Sequence, residues 1–417
     1  MRLGCIADDF TGSSDLGLML AEGGMRAIQY VGTPDEPADA AVDAGIVALK
    51  SRSIPAAEAV AQSLDACRWL VAQGCSTILF KYCSTFDSTP KGNIGPVIDA
   101  LVEELDTDDP VIVCPAFPET GRTIYMGHLF VNGRLLSESG MEHHPLNPMT
   151  DPNLARWLSL QTRRAVGRLT YADLDDPDAA FAREREAGRQ IVVCDAVEDD
   201  HLITLGHAAT HHRLVTGGSG IALGLPAAMG FRPEGRAAWR GVDGPYLALA
   251  GSCSQATLAQ IEAHAAAGHA VRRIGAEAIL DGAADPVRAV EEALEGGTLP
   301  LIASSDTPEA VAELQKRRGR ETVAQAVEAF FARAARAALA AGVTRLVSAG
   351  GETSGAIVSA LDVRSLEIGA RIAAGVPAVR IAGTDVAMAL KSGNFGATTF
   401  FADAADVLSR DHGARAV

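Results

Sequence analysis

The hydrophobic pattern at the start of the chain predicts a strand, a polar turn and a helix. Leu3 to Ala7 form an apolar run of the length of a short buried strand. The next apolar positions have the i, i+3, i+4 spacing of a helix that packs on one face: Leu16, Met19 and Leu20. Asp8 and Asp9 lie in the turn between these elements, where an open α/β sheet borders its ligand crevice. Each acid is a candidate base, metal ligand or hydroxyl acceptor; alternatively, Asp9 only caps the helix.

The same alternation of strands and helices extends through most of the chain. Short apolar runs that end in polar clusters predict further strands at 27–31, 46–49, 77–80, 111–114, 191–194, 213–216, 246–250, 345–349 and 387–390. Strands that alternate with helices predict a mainly parallel, doubly wound sheet. The exception is 124–136, where Asn132-Gly133 between two apolar runs predicts a β-hairpin. That hairpin is either a surface for homodimer formation or part of the core.

A segment rich in Gly, Pro and Arg, with little periodicity, occupies residues 231–244. Such a composition predicts a domain boundary. The length of 417 residues fits two or three domains. We therefore expect an α/β fold of two doubly wound, mainly parallel-sheet domains, 1–235 and 236–417, with a cleft between them.

Composition narrows the classes of protein that fit. The hydrophobic fraction of 48% is ordinary for a globular chain with large cores. No apolar run reaches the roughly 18 residues of a membrane helix, and the acids at 8 and 9 interrupt any leader. A formal net charge of −16 argues against a nucleic-acid surface. The seven cysteines are scattered, so we expect free thiols in a cytoplasmic protein.

Three turns of one type follow predicted strands in the C-terminal half: residues 251–254, 350–353 and 391–396. Their glycines let backbone amides approach an anion, and their Ser and Thr residues add hydroxyl donors. Lys391 would add a mobile positive charge. Together the turns predict a nucleotide-phosphate site, with ordinary tight turns as the alternative. The chain has no Walker A sequence, and no G-x-G-x-x-G follows the first strand.

The N-terminal half has charged and hydroxylated residues where its predicted strands end. They are Asp8, Asp9, Lys50, Arg52, Lys81, Ser84, Thr85, Asp87, Ser88 and Arg122. Cations pair with carboxylates and acids accept from hydroxyls, so this set suits a small hydroxylated carboxylate. Solvated loop charges are the alternative for each one. The histidines at 143, 144, 201, 207, 211 and 212 match no standard zinc spacing, so we expect no protein metal site.

Taken together, these motifs resemble those of the four-carbon acid sugar kinases. The matching segments are 7–12, 81–88, 121–123, 127–130, 144–151, 251–254, 350–353 and 391–396. Within the family the chain is most similar to the 3-oxo-tetronate kinases, through 81–93, 138–141 and 391–396. The resemblance implies an N-terminal domain that binds the acid sugar and a C-terminal domain that binds ATP. It implies phosphorylation of the C4 hydroxyl of 3-oxo-tetronate, giving 3-oxo-tetronate 4-phosphate.

The resemblance also implies roles for individual residues. Asp8 or Asp9 would orient and help to deprotonate the acceptor hydroxyl, and Lys81 and Arg122 would hold the substrate carboxylate. The hydroxyl partners would be Ser84, Thr85 and Asp87. The ATP-binding residues would be Ser252, Ser254, Gly350, Gly351, Glu352, Thr353, Lys391, Gly393 and Gly396. Mg²⁺ would bridge the ATP phosphates as their counter-ion.

Other functions also fit the sequence pattern. D-Threonate or erythronate differs from 3-oxo-tetronate by one oxidation state or one stereocentre, so a 4-kinase for either acid is an alternative within the family. An NAD-dependent hydroxy-acid dehydrogenase fits the α/β pattern but lacks the dinucleotide fingerprint. A non-catalytic acid-sugar sensor would need no set of three glycine turns.

Overall fold

Two units make up the chain, Met1–Arg236 and Ala237–Val417. The computed structural model describes residues 1–144, 147–233, 238–304 and 308–411. The boundary predicted between 235 and 236 lies outside the described residues. So do the residues at 145 and 146, which belong to the 144–151 motif.

The first unit alternates strands and helices, as the apolar pattern predicts. Its strands are β1 (Leu3–Ala7), β2 (Ala27–Val31), β3 (Ala44–Ala48), β4 (Thr77–Lys81), β5 (Val111–Cys114), β6 (Arg122–Tyr125), β7 (His128–Val131), β8 (Arg134–Leu135), β9 (Val166–Leu169), β10 (Ile191–Cys194) and β11 (Leu214–Gly217). Its helices are α1 (Phe10–Glu22), α2 (Ala56–Ala72), α3 (Ile94–Glu104), α4 (Leu154–Leu158), α5 (Pro177–Glu186), α6 (Asp199–Ala209) and α7 (Leu225–Ala228).

The main sheet of the first unit is parallel, in the order β2-β3-β1-β4-β11-β5-β10-β9. Every residue of β1 is buried, because parallel strands inside such a sheet are covered on both faces. Ala7 pairs in register with Ala48 of β3 and with Lys81 of β4. The three strands therefore end at the same level, and the polar segments that follow them leave from one edge of the sheet.

The predicted hairpin forms a separate antiparallel sheet of β6, β7 and β8. Asn132 and Gly133 both have positive φ, at 50° and 77°, as a type I′ turn requires. Ile124 and Leu129 are fully buried, so part of the hairpin belongs to the core. Tyr125 is 49% exposed.

The second unit has a parallel sheet extended by antiparallel strands. Its strands are β12 (Tyr246–Ala250), β13 (Val271–Arg273), β14 (Leu301–Ala303), β15 (Arg345–Ala349), β16 (Ser365–Ala373), β17 (Val376–Ile381) and β18 (Ala387–Lys391). Its helices are α8 (Gln255–Ala266), α9 (Ala276–Leu280), α10 (Pro286–Glu295), α11 (Pro308–Arg318), α12 (Arg320–Ala340), α13 (Gly351–Ala360) and α14 (Phe400–Ser409).

Strands β13-β14-β12-β15-β18 are parallel in that order, and β17 and β16 continue the sheet in antiparallel fashion. The sequence pattern did not predict β16 and β17, because Glu367, Arg371 and Arg380 interrupt the apolar runs there. The predicted α/β class with mainly parallel sheets is confirmed. Among the described residues, no helix combines the length and the apolar character needed to cross a membrane.

Candidate active site

The turn after β1 places two acids in different surroundings. Asp9 is the N-cap of α1, with an extended backbone at φ −149° and ψ 159°. Its Oδ2 accepts from the Gly12 main-chain N–H at 3.3 Å and from Thr11 Oγ1 at 3.0 Å. Asp8 does not cap the helix and is only 6% exposed. Asp9 therefore caps the helix, and Asp8 does not, so Asp8 is available for another role.

Arg52 joins the two acids. Its Nε and Nη2 donate to the two carboxylate oxygens of Asp8 at 2.9 and 2.7 Å. The same Nη2 lies 2.7 Å from Asp9 Oδ1. Asn93 fixes the segment that carries Arg52, because its Nδ2 donates to the carbonyl oxygens of Ser51 and Ile54 at 2.7 and 2.9 Å. From the sequence, Arg52 is a candidate site residue without a specific role.

Lys81 completes a cluster of two acids and two cations, which we call the Asp8–Lys81 cluster: Asp8, Asp9, Arg52 and Lys81. Lys81 is the last residue of β4 and is 4% exposed. Its Nζ lies 3.4 Å from Asp9 Oδ1. The structure thus brings together both predicted catalytic acids and the first predicted substrate cation.

The two carboxyl groups of this cluster have pKa values shifted in opposite directions. Burial raises the pKa of Asp8 above its ordinary value, although Arg52 opposes the shift. Burial also acts on Asp9, but the charges of Arg52 and Lys81 outweigh it and hold the pKa of Asp9 well below its usual range. Adjacent carboxyl groups with separated pKa values usually have different functions. Asp8 is the stronger base of the pair.

The segment after β4 carries the three predicted hydroxyl partners. Thr85 Oγ1 donates to Asp87 Oδ1 at 2.6 Å, so these two side chains are already paired. The hydroxyl of Ser84 has no hydrogen-bond partner among the described residues. Phe86 adopts a positive φ of 55°, and its buried ring packs edge-on against Tyr82 at 5.3 Å between centroids. This packing stabilises the segment.

Arg122 lies on a different element, at the start of β6. Its Nη1 donates to the carbonyl oxygen of Thr120. It forms no ion pair with another described residue, and its Nε is buried without a hydrogen-bond partner. The structure does not bring Arg122 into hydrogen-bonding contact with the described residues of the Asp8–Lys81 cluster.

In the second unit, the three predicted glycine turns come together. They follow β12, β15 and β18, which are neighbours in the sheet, with Ala250 level with Ala349 and Ala349 level with Lys391. The Gly350 N–H donates to the Lys391 carbonyl oxygen at 2.8 Å, and the Ser252 N–H donates to that of Ala349 at 3.2 Å. The turns therefore form one surface at the carboxyl edge of the sheet.

Close approach explains several of the glycines in these turns. Gly350 has a φ of 128°, and the helix α13 begins directly after it, at Gly351. A Cβ on Gly251 would lie 2.3 Å from Thr353 Oγ1, and one on Gly393 would lie 2.6 Å from Ser252 Oγ. Side chains at these positions would push the turns apart. Glu352 lies in the first turn of α13 and is exposed.

The hydroxyls of Ser252 and Ser254 organise the same surface. Ser254 is the N-cap of α8 and accepts from the Thr257 N–H at 3.2 Å. Its Oγ also lies 2.6 Å from the Gly393 carbonyl oxygen. Ser252 Oγ accepts from the Ser254 N–H at 3.2 Å. These contacts link the first turn to the third.

Lys391 is fully buried, which corrects the expectation of a mobile charge. Its Nζ donates to Thr257 Oγ1 at 3.0 Å and to the carbonyl oxygens of Ser392 and Gly393 at 3.1 and 2.9 Å. Burial lowers the pKa of Lys391 to about 8. Thr257 and Gln260 contact the same loop. They could not be recognised from the sequence, because single polar residues within a helix carry no motif.

Both halves of the chain match domain families. The model of the sugar-binding N-terminal domain matches residues 3–225, and that of the nucleotide-binding C-terminal domain matches residues 247–401. The first range contains the Asp8–Lys81 cluster, and the second contains the three glycine turns.

Curated relatives match over almost the full length. The 3-oxo-tetronate kinase of Cupriavidus necator is 50% identical over 96% of this chain and 96% of its own. That of Pseudomonas fluorescens is 50% identical over 96% of each chain. That of Brucella melitensis is 44% identical over 99% of this chain and 97% of its own.

Two solved structures share the fold. One from Salmonella typhimurium LT2 has a TM-score of 0.87 and 40% identity, covering 97% of this chain and 98% of that one. One from Haemophilus influenzae has a TM-score of 0.79 and 39% identity, covering 97% of this chain and 100% of that one.

Proposed function

The chain belongs to the four-carbon acid sugar kinase family, and we propose that it transfers the γ-phosphoryl group of ATP to the C4 hydroxyl of 3-oxo-tetronate. The product would be 3-oxo-tetronate 4-phosphate. The observation that carries the proposal is the 50% identity to the Cupriavidus necator 3-oxo-tetronate kinase over 96% of the chain. The dehydrogenase and the sensor have no supporting observation of this kind.

The Asp8–Lys81 cluster suits the acceptor side of this reaction. Catalysis of phosphoryl transfer consists mainly of positioning and charge stabilisation. Asp8 would accept the proton of the C4 hydroxyl as that oxygen attacks the γ-phosphorus, since its raised pKa makes it the better base. Arg52 would hold both oxygens of Asp8 in place. Asp9 would remain ionised as the partner of Lys81 and the cap of α1.

Two cations would bind the substrate carboxylate, Lys81 and Arg122. Asp9 is the one described hydrogen-bond partner of Lys81 Nζ, so the ammonium retains further donors. Arg122 forms no ion pair with a described carboxylate, and its Nε is buried without a hydrogen-bond partner. Ser84 would bind a substrate hydroxyl directly, and Thr85 would do so together with Asp87. These assignments make the acid sugar the ligand of the first unit.

The three glycine turns would bind the phosphates of ATP, with Mg²⁺ as their counter-ion. No group of three or more His, Cys, Asp or Glu in the described chain is placed to hold a metal ion. Phosphate oxygens and water would supply most of the ligands of the Mg²⁺ ion, as is usual for this ion in kinases. We also propose a cytoplasmic location, which fits the seven free thiols.

An assay of ADP release with a panel of acids tests the proposal. We expect the highest kcat/KM with 3-oxo-tetronate, and lower values with D-threonate and erythronate. A site built for a C3 carbonyl presents hydrogen-bond donors, so the hydrogen of a C3 hydroxyl would have no acceptor there. A higher value with D-threonate or erythronate would assign that acid instead. Absence of ADP release with every acid would contradict the kinase function.

A further inference from the structure

The loop after β18, residues 392–398, is held on its inner side by three buried side chains. Gln260 Nε2 lies 3.0 Å from each of the carbonyl oxygens of Phe395, Gly396 and Ala397. Thr257 Oγ1 and Lys391 Nζ both donate to the carbonyl oxygen of Gly393 at 2.9 Å, and Lys391 also donates to that of Ser392. Five carbonyl groups of the loop therefore point inward.

The inward carbonyls fix the direction of the amides. In a planar trans peptide the C=O and N–H bonds point in opposite directions, and the described chain has no cis peptide bond. The N–H groups that follow these carbonyls must therefore point away from Lys391 and Gln260. They belong to Gly393, Asn394, Gly396, Ala397 and Thr398. No described group accepts a hydrogen bond from the first four of these amides.

The charge of Lys391 has no carboxylate partner among the described residues. Its Nζ is fully buried, and no described carboxylate lies within ion-pair distance of it. A buried, unpaired ammonium is costly to a fold unless an opposite charge offsets it. Outward amides and a cation beneath them together form the arrangement that binds anions in backbone nests. Gly396, with φ 84°, provides the left-handed residue that such a nest uses.

We propose that Lys391, Thr257 and Gln260 are positioning residues that turn the carbonyls of this loop inward, so that its amides form a nest for a phosphate group of ATP. The inference rests on the proposed function and deepens it. None of the three side chains needs to touch the nucleotide. They act through the loop, and Lys391 adds its charge beneath the bound phosphate.

Calorimetry with ADP and with adenosine tests this role separately from turnover. We expect Gln260→Leu and Lys391→Met each to raise the Kd for ADP by about tenfold or more, the effect of losing hydrogen bonds to a charged group. The Kd for adenosine should stay within about twofold, because adenosine has no phosphate. In turnover, KM for ATP should rise while KM for the acid sugar stays constant. Gln73→Leu is the matched control, since Gln73 bonds backbone groups of the first unit.

The outcomes are distinguishable. An unchanged Kd for ADP in both variants would overturn the inference, and so would an equal loss of adenosine and ADP binding, which marks general damage to the unit. Failure of the unmodified protein to bind ADP would count against the proposed function instead. If a variant does not fold, as thermal unfolding would show, Thr257→Val gives the answer. It replaces one hydroxyl with a methyl group of nearly equal volume and should raise the Kd for ADP several-fold.

Discussion

Lys81 Nζ occupies the space that a side chain on Gly12 would need. A Cβ on Gly12 would lie 1.9 Å from Lys81 Nζ and 2.3 Å from Asp9 Oδ1. Glycine is about 1 kcal/mol less favourable than alanine within a helix, so the first turn of α1 does not use it for helix stability. It is there because the lysine at the end of β4 reaches the helix start through the gap.

We expect Gly12→Ala to separate Lys81 from Asp9. The added methyl group must displace the Lys81 ammonium or the Asp9 carboxylate, because both would lie closer to it than van der Waals contact allows. KM for the acid sugar should rise by about tenfold, the loss of one charge-assisted hydrogen bond. Steady-state kinetics with the acid sugar varied at saturating ATP measures this change.

Gly355→Ala is the matched control for that substitution. Gly355 lies within α13, and a Cβ there would meet no atom within 4 Å. This variant should unfold at the same or a higher temperature, because alanine favours the helix. If Gly12→Ala behaved in the same way and kept its KM, Lys81 would not depend on the gap at Gly12.

Asp8→Asn and Asp9→Asn, made separately, should have unequal effects. Asp8→Asn removes the stronger base without changing its size, so kcat should fall by about 10² or more. Asp9→Asn keeps a capping side chain but loses the charge that pairs with Lys81, so a smaller loss of kcat is expected. Calorimetry with ADP should give unchanged affinity in both. Full turnover by both variants would remove the assignment of these acids.

Asp8 should also determine the acid limb of the pH profile. Burial raises its pKa, so its carboxylate takes up a proton at a higher pH than an ordinary aspartate does. As the pH falls through this raised pKa, the base is lost and kcat/KM for the acid sugar should decline. The limb should disappear from the residual activity of Asp8→Asn. A limb that is unchanged in this variant would belong to another group.

The sequence predicted the locations of these groups better than their contacts. Within the first unit the apolar runs of β1 and β4 end in polar turns, and within the second unit those of β12, β15 and β18 do. A parallel sheet places the turns that follow its own strands at one edge, so the sequence could group distant residues separately within each unit. The opposite pKa shifts of Asp8 and Asp9 could not be predicted from the sequence. They depend on burial and on how close Arg52 and Lys81 lie to each carboxylate.

Side chains within regular elements were harder to recognise. Thr257 and Gln260 lie within α8, three residues apart, and nothing in the spacing separates them from ordinary helix residues. Their role is proposed only from the hydrogen bonds that they make to the loop 392–398. Lys391 belongs to a recognisable motif, but its burial could not be predicted. It is covered by the ring of Phe400, whose centroid lies 5.6 Å from Nζ, and by the carbonyls of the loop.

Arg52→Lys should not be conservative. The guanidinium bonds both oxygens of Asp8 and reaches Asp9 as well, which a compact ammonium cannot do. We expect kcat to fall by about tenfold or more, with the affinity for ADP unchanged. Arg68→Lys is the control, because Arg68 makes a similar two-bond contact with Glu104 at an exposed site. Equal kinetics in the two variants would argue against a role of Arg52 in holding Asp8.

Lys391 should make the nucleotide affinity fall in mildly alkaline solution. Burial lowers its pKa to about 8, and the groups that contact it, Thr257, the loop carbonyls and the Phe400 ring, do not titrate. As the pH rises through this value, Nζ loses a donor and its charge, so the Kd for ADP should increase. The effect on stability has the opposite sign: a lysine whose pKa is lower in the folded state costs stability below that pKa, and this cost disappears as the pH rises towards its unfolded value. Between about pH 7 and 9, calorimetry should therefore show a falling affinity for ADP, and thermal unfolding should show a rising stability. Both changes should be absent from Lys391→Met. A Kd for ADP that rises equally in Lys391→Met would show that another group controls it.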